Sequence, residues 1–234
     1  MQLFYNPDIN TSVTEFSFDK EESKHIVKVL RKKELDTLHV TNGLGFLFTT
    51  EIIFASEKKC TVKIIHSEFH QPNDFYLHLA VAPTKMNDRF EWFLEKATEI
   101  GVQEITPIIC DHSERKIIKT ERFAKIIESA MKQSLQFHLP KLNEPIPFST
   151  FINQKNEGDL FIAHCEETEK KLLKDSIAKN QKYTVLIGPE GDFSEKEIKL
   201  ALENKYIPVS LGNTRLRTET AAVVACHSIV FANE

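Results

Sequence analysis

The sequence predicts an α/β protein in two parts, a small β-rich N-terminal domain followed by a larger domain on a parallel sheet. Three observations predict it. Short segments rich in β-branched and aromatic residues fill the region before residue 72, and strands and helices alternate after it. Between the two lies the polar, proline-containing stretch His70-Gln71-Pro72-Asn73-Asp74, which marks the boundary.

In the first part, Leu38-His39-Val40 runs into Asn42-Gly43-Leu44-Gly45, a strong turn signal, and then into Phe46-Leu47-Phe48 and Glu51-Ile52-Ile53-Phe54. Cys60 to Ile65 is a further strand with partial alternation. One helix interrupts, from Lys20 to Leu30, with Ile26, Val27 and Leu30 on one face. The pattern fits a small β-barrel with a helix. In the second part, Phe75 to Ala82 reads as a buried strand. A helix follows, with Asp88 as cap, Glu91 as its capping-box partner and Gly101 as its stop. Ile105 to Cys110, Leu160 to Cys165, Tyr183 to Ile187 and Ile207 to Leu211 read as further strands. Helices are expected over Glu121 to Phe137, Thr168 to Lys179, Ser194 to Asn204 and Glu219 to Phe231, with Ser194 and Glu197 forming another capping box. Alternation of this kind implies a parallel sheet with helices on both faces.

An apolar fraction of 41% is enough for a packed core, and a net charge of −4 excludes a simple basic-tail binder while leaving room for local basic patches. The cysteines Cys60, Cys110, Cys165 and Cys226 form no CxxC pair, and His25, His112, His138, His164 and His227 show no metal-ligand spacing. No metal is expected, and the thiols read as reduced and mostly buried. With neither a signal-like N-terminus nor a long apolar run, the expectation is a cytoplasmic protein without membrane segments.

In open α/β sheets, ligands bind beyond the carboxyl ends of strands. Two such ends carry unusual residues. The first is Leu186-Ile187-Gly188-Pro189-Glu190-Gly191-Asp192-Phe193-Ser194, where the glycines allow close approach of a ligand and Pro189 stiffens the turn. It lacks the Lys and Ser/Thr of a phosphate-cradling P-loop. The second is Leu211-Gly212-Asn213-Thr214-Arg215-Leu216-Arg217-Thr218-Glu219, where Thr218 is a candidate helix cap and Glu219 suits the helix dipole. Basic residues that could meet phosphates are Lys28, Arg31 and Lys32 at the end of the first helix, Lys85 and Arg89 beyond the first strand of the second domain, and Arg115.

Together, LIGPEGDFS and the later LG…LRTETAA resemble the RsmE family, ribosomal RNA small-subunit methyltransferases of the SPOUT superfamily that make N3-methyluridine. The resemblance extends through NDRFEWFLEKATEIGVQEITPI, SAMKQS and HIVKVLRKK, and so through both parts of the chain. It implies a PUA-like RNA-binding barrel over residues 1–72 and a SPOUT domain with a trefoil knot over residues 73–234. It also implies S-adenosyl-L-methionine (SAM) as methyl donor, 16S rRNA or the small ribosomal subunit as substrate, and a homodimer. Ile187, Gly188, Pro189, Glu190 and Gly191 would form one wall of the SAM site, and Leu211, Gly212, Leu216, Arg217 and Ala221 the other. The strand end Ala163-His164-Cys165-Glu166 would add a third side, with Ala163 and His164 as its cofactor contacts. This chain has Asp192 where the family usually has a second glycine, Asn213-Thr214 in place of Pro-Arg, and Leu135-Gln136 in place of Gly-Arg.

Methylation of uridine N3 requires the loss of a proton and stabilisation of the resulting anion. Arg217 is the expected cation, and Glu219 or Glu190 the expected base. Two other readings fit the same residues: an RNA-binding factor with this fold and no activity, and a different nucleotide-using α/β enzyme.

Overall fold

The computed structural model describes residues 1–166 and 169–234. Its contacts divide the chain into two compact units, residues 1–72 with 131–139, and residues 73–130 with 140–234.

The first unit contains strands β1 (Leu3–Tyr5), β2 (Glu15–Ser17), β3 (Thr37–Thr41), β4 (Phe46–Ser56) and β5 (Lys59–Phe69), in the sheet order β1-β3-β4-β5-β2. The pairing is antiparallel except between β1 and β3. Asn42 makes the β3–β4 turn: its carboxamide oxygen accepts the Leu44 amide at 2.9 Å and its nitrogen donates to the Ile9 carbonyl at 3.2 Å. Phe4, Phe18, Ile26, Leu38, Val40, Phe48, Ile52 and Val62 form the core. The predicted helix starts as α1 (Lys20–Lys24), where the Asp19 carboxylate accepts the Glu22 amide at 2.8 Å. It then widens into a π-helical turn over His25–Val29, a change that apolar periodicity does not announce. Arg31 follows in the left-handed region at φ +55.

The second unit contains β6 (Tyr76–Val81), α2 (Asn87–Ile100), β7 (Glu104–Ile109), most of α3 (Thr120–Gln133), β8 (Lys141–Leu142), β9 (Ile146–Pro147), α4 (Phe148–Ile152), β10 (Asp159–Ala163), β11 (Lys171–Leu172), β12 (Lys182–Ile187), α5 (Glu195–Glu203), β13 (Ile207–Ser210) and α6 (Thr218–Asn233). The sheet order is β11-β13-β10-β12-β6-β7-β8, and every pair is parallel. Two-residue alternation sorts β6 cleanly. Ala80 faces a core with Phe148, Phe151, Ile198 and Ala201 of α4 and α5. The other face of the sheet meets α6, which also packs on α2. The Ser194–Glu197 capping box is present in both directions, a device worth about 1 kcal/mol. No helix among the described residues is long and apolar enough to cross a membrane.

Three expectations fail locally. Thr168 lies outside the described residues, and the rest of its predicted helix is replaced by β11 and a 3₁₀ turn at Leu173–Asp175. Lys171 and Leu172 pair with Val209 and Ser210, so backbone bonding to the sheet edge overrides the helix-favouring side chains. Asp88 is not the cap of α2. The helix starts two residues earlier, at Asn87 with Met86 in the cap position, while Glu91 pairs with Arg122 at 2.7 Å. Finally, α3 ends at Gln133 instead of continuing to Phe137, because Leu135 turns left-handed at φ +58.

The N-terminal ends of β6 and β7 hold a polar cluster around Glu104. Burial alone raises its carboxyl pKa, but hydrogen bonds from Lys141 and Asn143, the His78 ring and the Tyr76 hydroxyl outweigh burial and hold it at about 2. A carboxylate depressed on folding stabilises the fold above its unfolded pKa of 4.5 and loses that contribution as pH falls toward about 2. Glu104→Gln is therefore expected to lower stability at pH 7 and to flatten the acid arm of the stability curve between those values. Denaturant melts across pH check this, and a wild-type-like acid arm in the variant contradicts it.

Candidate functional site

Strands β10, β12 and β13 end side by side, with Ala163 in register with Ile187 and Val209. Two adjoining clefts of about 340 and 400 Å³ open at these ends, within the size range of small-molecule sites. Ile187, Gly188, Pro189, Glu190 and Arg217 line the first, and His164, Leu211 and Gly212 line the second. Ala163, Leu216 and Ala221 border both. Of the residues expected to hold a cofactor, Gly191 alone borders neither cleft.

The glycines serve different purposes. Gly188 does not take positive φ; a β-carbon there would stand 3.0 Å from the Phe193 ring and 3.2 Å from the Phe193 nitrogen. Its value is room for close packing. A β-carbon on Gly191 would meet His112 at 3.1 Å, and that imidazole Nδ1 lies 3.1 Å from the Gly191 carbonyl. Gly191 is thus fixed by the β7–α3 loop. Gly212 is the one in which backbone freedom matters: it stands at φ +145 with open space on its side-chain face.

Thr218 is not the cap that its sequence position suggests. Arg217 holds the cap position without a side-chain bond, and the Thr218 hydroxyl instead donates to the Gly188 carbonyl at 3.1 Å. This ties the start of α6 to the first loop. The Arg217 side chain is exposed at the cleft and has no hydrogen bond or ion pair to a described residue. Arg215 borders both clefts.

The two candidate bases differ in setting. Glu190 is exposed in the first cleft, and its Oε1 accepts the Lys85 amide at 2.9 Å. Glu219 is buried, borders neither cleft, and stands 4.0 Å from the Arg89 guanidinium, while its Oε2 has no partner among the described residues. Arg89 is therefore turned toward a carboxylate, as is Lys85, whose Nζ lies 2.7 Å from Glu114. Arg115 is half-buried and its Nε donates to the Ile117 carbonyl at 3.4 Å. In the first unit, Lys28 and Arg31 are exposed and Lys32 half-buried, all at the end of the π turn.

Two contributors, Lys170 and Asp192, escaped the sequence reading, while Cys165 lies in the strand end expected to join the pocket. Lys170 borders the second cleft, and its ammonium donates to the carbonyls of His164 at 2.7 Å and Glu166 at 2.5 Å. Asp192 borders the first cleft and reaches the Cys165 amide at 2.7 Å. Cys165 borders both clefts; burial and the Asp192 carboxylate push its thiol pKa up. His164 is buried, with Nδ1 unpartnered among the described residues; burial and the Lys170 charge push its pKa down, so the ring is neutral at pH 7. The one usable sequence signal was Asp192 itself, an Asp in a tight βα turn, where such residues bond neighbouring amides.

A family model described as an RNA methyltransferase domain matches residues 71–230, and one described as an RNA methyltransferase PUA domain matches residues 18–65. Ribosomal RNA small subunit methyltransferase E of Buchnera aphidicola (subsp. Acyrthosiphon pisum) is 34% identical, over 96% of this chain and 90% of its own length. The Bacillus subtilis protein of the same name is 27% identical, over 94% and 91%. Among solved structures, a Porphyromonas gingivalis protein named as an rRNA-methyltransferase superposes with a TM-score of 0.92 at 40% identity, covering 100% of this chain and 98% of its own. A Legionella pneumophila protein named as a methyltransferase, solved with bound SAM, superposes with a TM-score of 0.88 at 30% identity, covering 99% and 97%. With its PUA domain, its all-parallel second sheet and these matches along its length, the chain belongs to the ribosomal RNA small subunit methyltransferase E family.

Proposed function

We propose that this chain uses SAM to methylate N3 of a uridine in 16S rRNA, and that SAM occupies the paired clefts. The observation that carries the reading is the convergence of the β10, β12 and β13 ends on one crevice, in a chain similar over nearly its full length to the SAM-bound Legionella protein. The residues present suit this cofactor. Ile187, Leu216 and Ala221 offer apolar walls to a flat nucleoside, and Gly212 leaves its side-chain face open. The buried His164 Nδ1 has no protein partner among the described residues and is a polar atom available to a ligand.

SAM, when bound, supplies an electrophilic methyl group on a positively charged sulfur. The protein must align the acceptor and exclude water. Uridine N3 is protonated at neutral pH, so its nucleophilicity depends on charge stabilisation. In this reading Arg217 supports the negative charge that develops on the uracil oxygens. Glu190 takes the N3 proton, because it is exposed in the same cleft and anchored through Lys85. Glu219, buried beside Arg89, holds that guanidinium near the base of α6 and does not react.

Residues 1–72 serve as the PUA-like RNA-binding domain and residues 73–234 as the SPOUT domain, with the trefoil knot formed by its C-terminal loops. Lys28, Arg31 and Lys32 contact RNA phosphates, which position the substrate without selecting the base. Lys85 and Arg115 bind further phosphates, Lys85 by exchanging the Glu114 carboxylate for phosphate, while Arg89 stays with Glu219. Val224, His227 and Phe231 make a stripe along α6, with Phe231 67% exposed and stacked on His227, and this stripe is the face for a second copy in a homodimer. The setting is the cytoplasm.

Mass spectrometry of 16S rRNA from cells lacking this protein tests the assignment. One N3-methyluridine is expected to disappear and to return with the wild-type gene. An unchanged set of N3-methyluridines contradicts it.

A further inference from the structure

Asp192 stands at φ +63, a left-handed conformation that costs an ordinary side chain energy and suits the glycine usual at this place in the family. Its carboxylate has a use that glycine lacks. Oδ2 accepts the Cys165 amide at 2.7 Å and Oδ1 accepts the Phe193 amide at 2.8 Å. Cys165 follows β10, whereas Asp192 follows β12, so one side chain joins the loops beyond two adjacent strands. The Asp192 end is itself fixed: its carbonyl lies 3.0 Å from His112 Nδ1, and Phe193 is buried against Phe148. The Cys165 end is held from the opposite direction, because Lys170 takes the carbonyls of His164 and Glu166. Residues 164–166 are thus gripped through the Cys165 amide and through the carbonyls of His164 and Glu166, and within this segment Cys165 borders both clefts and His164 the second.

We infer that Asp192 is a positioning residue that staples residues 164–166 to the GPEG turn and so sets the width of the SAM site in this chain. The inference rests on the SAM reading above. Its contribution is pre-organisation: without the staple the loop must be ordered when the ligand binds, which lowers affinity.

The test is calorimetric titration of SAM into the full-length wild type, Asp192→Gly and Asp192→Asn. Glycine accepts φ +63 without strain, so that variant is expected to fold while losing both hydrogen bonds. Its affinity for SAM should fall about tenfold, the loss expected of one charge-assisted bond. The asparagine variant should recover part of this, because its amide oxygen can still accept the Cys165 amide. Hydrogen exchange at the Cys165 amide should quicken in Asp192→Gly, and its KM for SAM should rise more than kcat falls. If Asp192→Gly binds SAM as tightly as a binding wild type, the staple is overturned and the SAM reading survives. If the wild type itself binds no SAM, the SAM reading falls and takes the staple's function with it.

Discussion

Replacing Arg217 by alanine is expected to lower methyl transfer by about 10²–10³-fold, the range found on removing one charge-stabilising donor. The fold should survive, because the side chain is exposed and makes no capping bond to α6. SAM affinity should change by less than about tenfold, since the proposed partner of the guanidinium is the uracil anion, which is absent in the binary complex. The split between kcat and Kd is the signature. Single-turnover assays with saturating RNA measure the first and calorimetry the second. Intact turnover removes Arg217 from the chemistry, whereas a collapse of SAM binding alone makes it a cofactor-binding group.

Gly188→Val should act on the site through packing. Its β-carbon would stand 3.0 Å from the ring and 3.2 Å from the backbone nitrogen of Phe193. Phe193 is 3% exposed and packed on Phe148, so neither the ring nor the backbone can yield readily. Overpacking of this kind costs about 1–3 kcal/mol. The strain also falls on the Gly188 carbonyl that receives the Thr218 hydroxyl, and so on the link between the first loop and α6. SAM affinity is expected to fall by about tenfold or more even where the protein remains folded. Thermal melts and titration together check this, and wild-type affinity with wild-type stability contradicts it.

Much of the second unit was legible because its signals are local. The GPEG and LG loops follow apolar strands, the Ser194–Glu197 box marks the start of α5, and Gly101 ends α2 as a left-handed cap. These rest on neighbours a few residues apart. The failures depend on distant partners. Lys171 and Leu172 become a strand because Val209 and Ser210 lie alongside. Thr218 leaves its capping role because the Gly188 carbonyl is within reach. The carboxylate partners of Arg89 and Lys85, Glu219 and Glu114, are likewise distant in sequence and give no local signal.

The departures from the family pattern are informative for the same reason. Asp192 and Leu135 replace usual glycines, and both stand at positive φ, +63 and +58. The backbone need for glycine therefore persists at both places. At Asp192 two short hydrogen bonds offset the strain; at Leu135 the backbone closes the end of α3, the Gln136 amide donating to the Met131 carbonyl at 3.0 Å and the Leu135 amide to the Lys132 carbonyl at 3.3 Å. The grouping of Ala163, Ile187 and Leu216 at one crevice could not be read from spacing, because it depends on the strand order β13-β10-β12. It came through the resemblance, and the strand register then supplied its physical basis.

The most direct measurement is a crystal structure of the protein soaked with SAM. Density for the nucleoside between Ile187 and Leu216, with the methyl-bearing sulfur open to the space beside Arg217, is the expected result. A well-ordered crystal whose crevice stays empty at saturating SAM, or SAM bound elsewhere on the chain, contradicts the account.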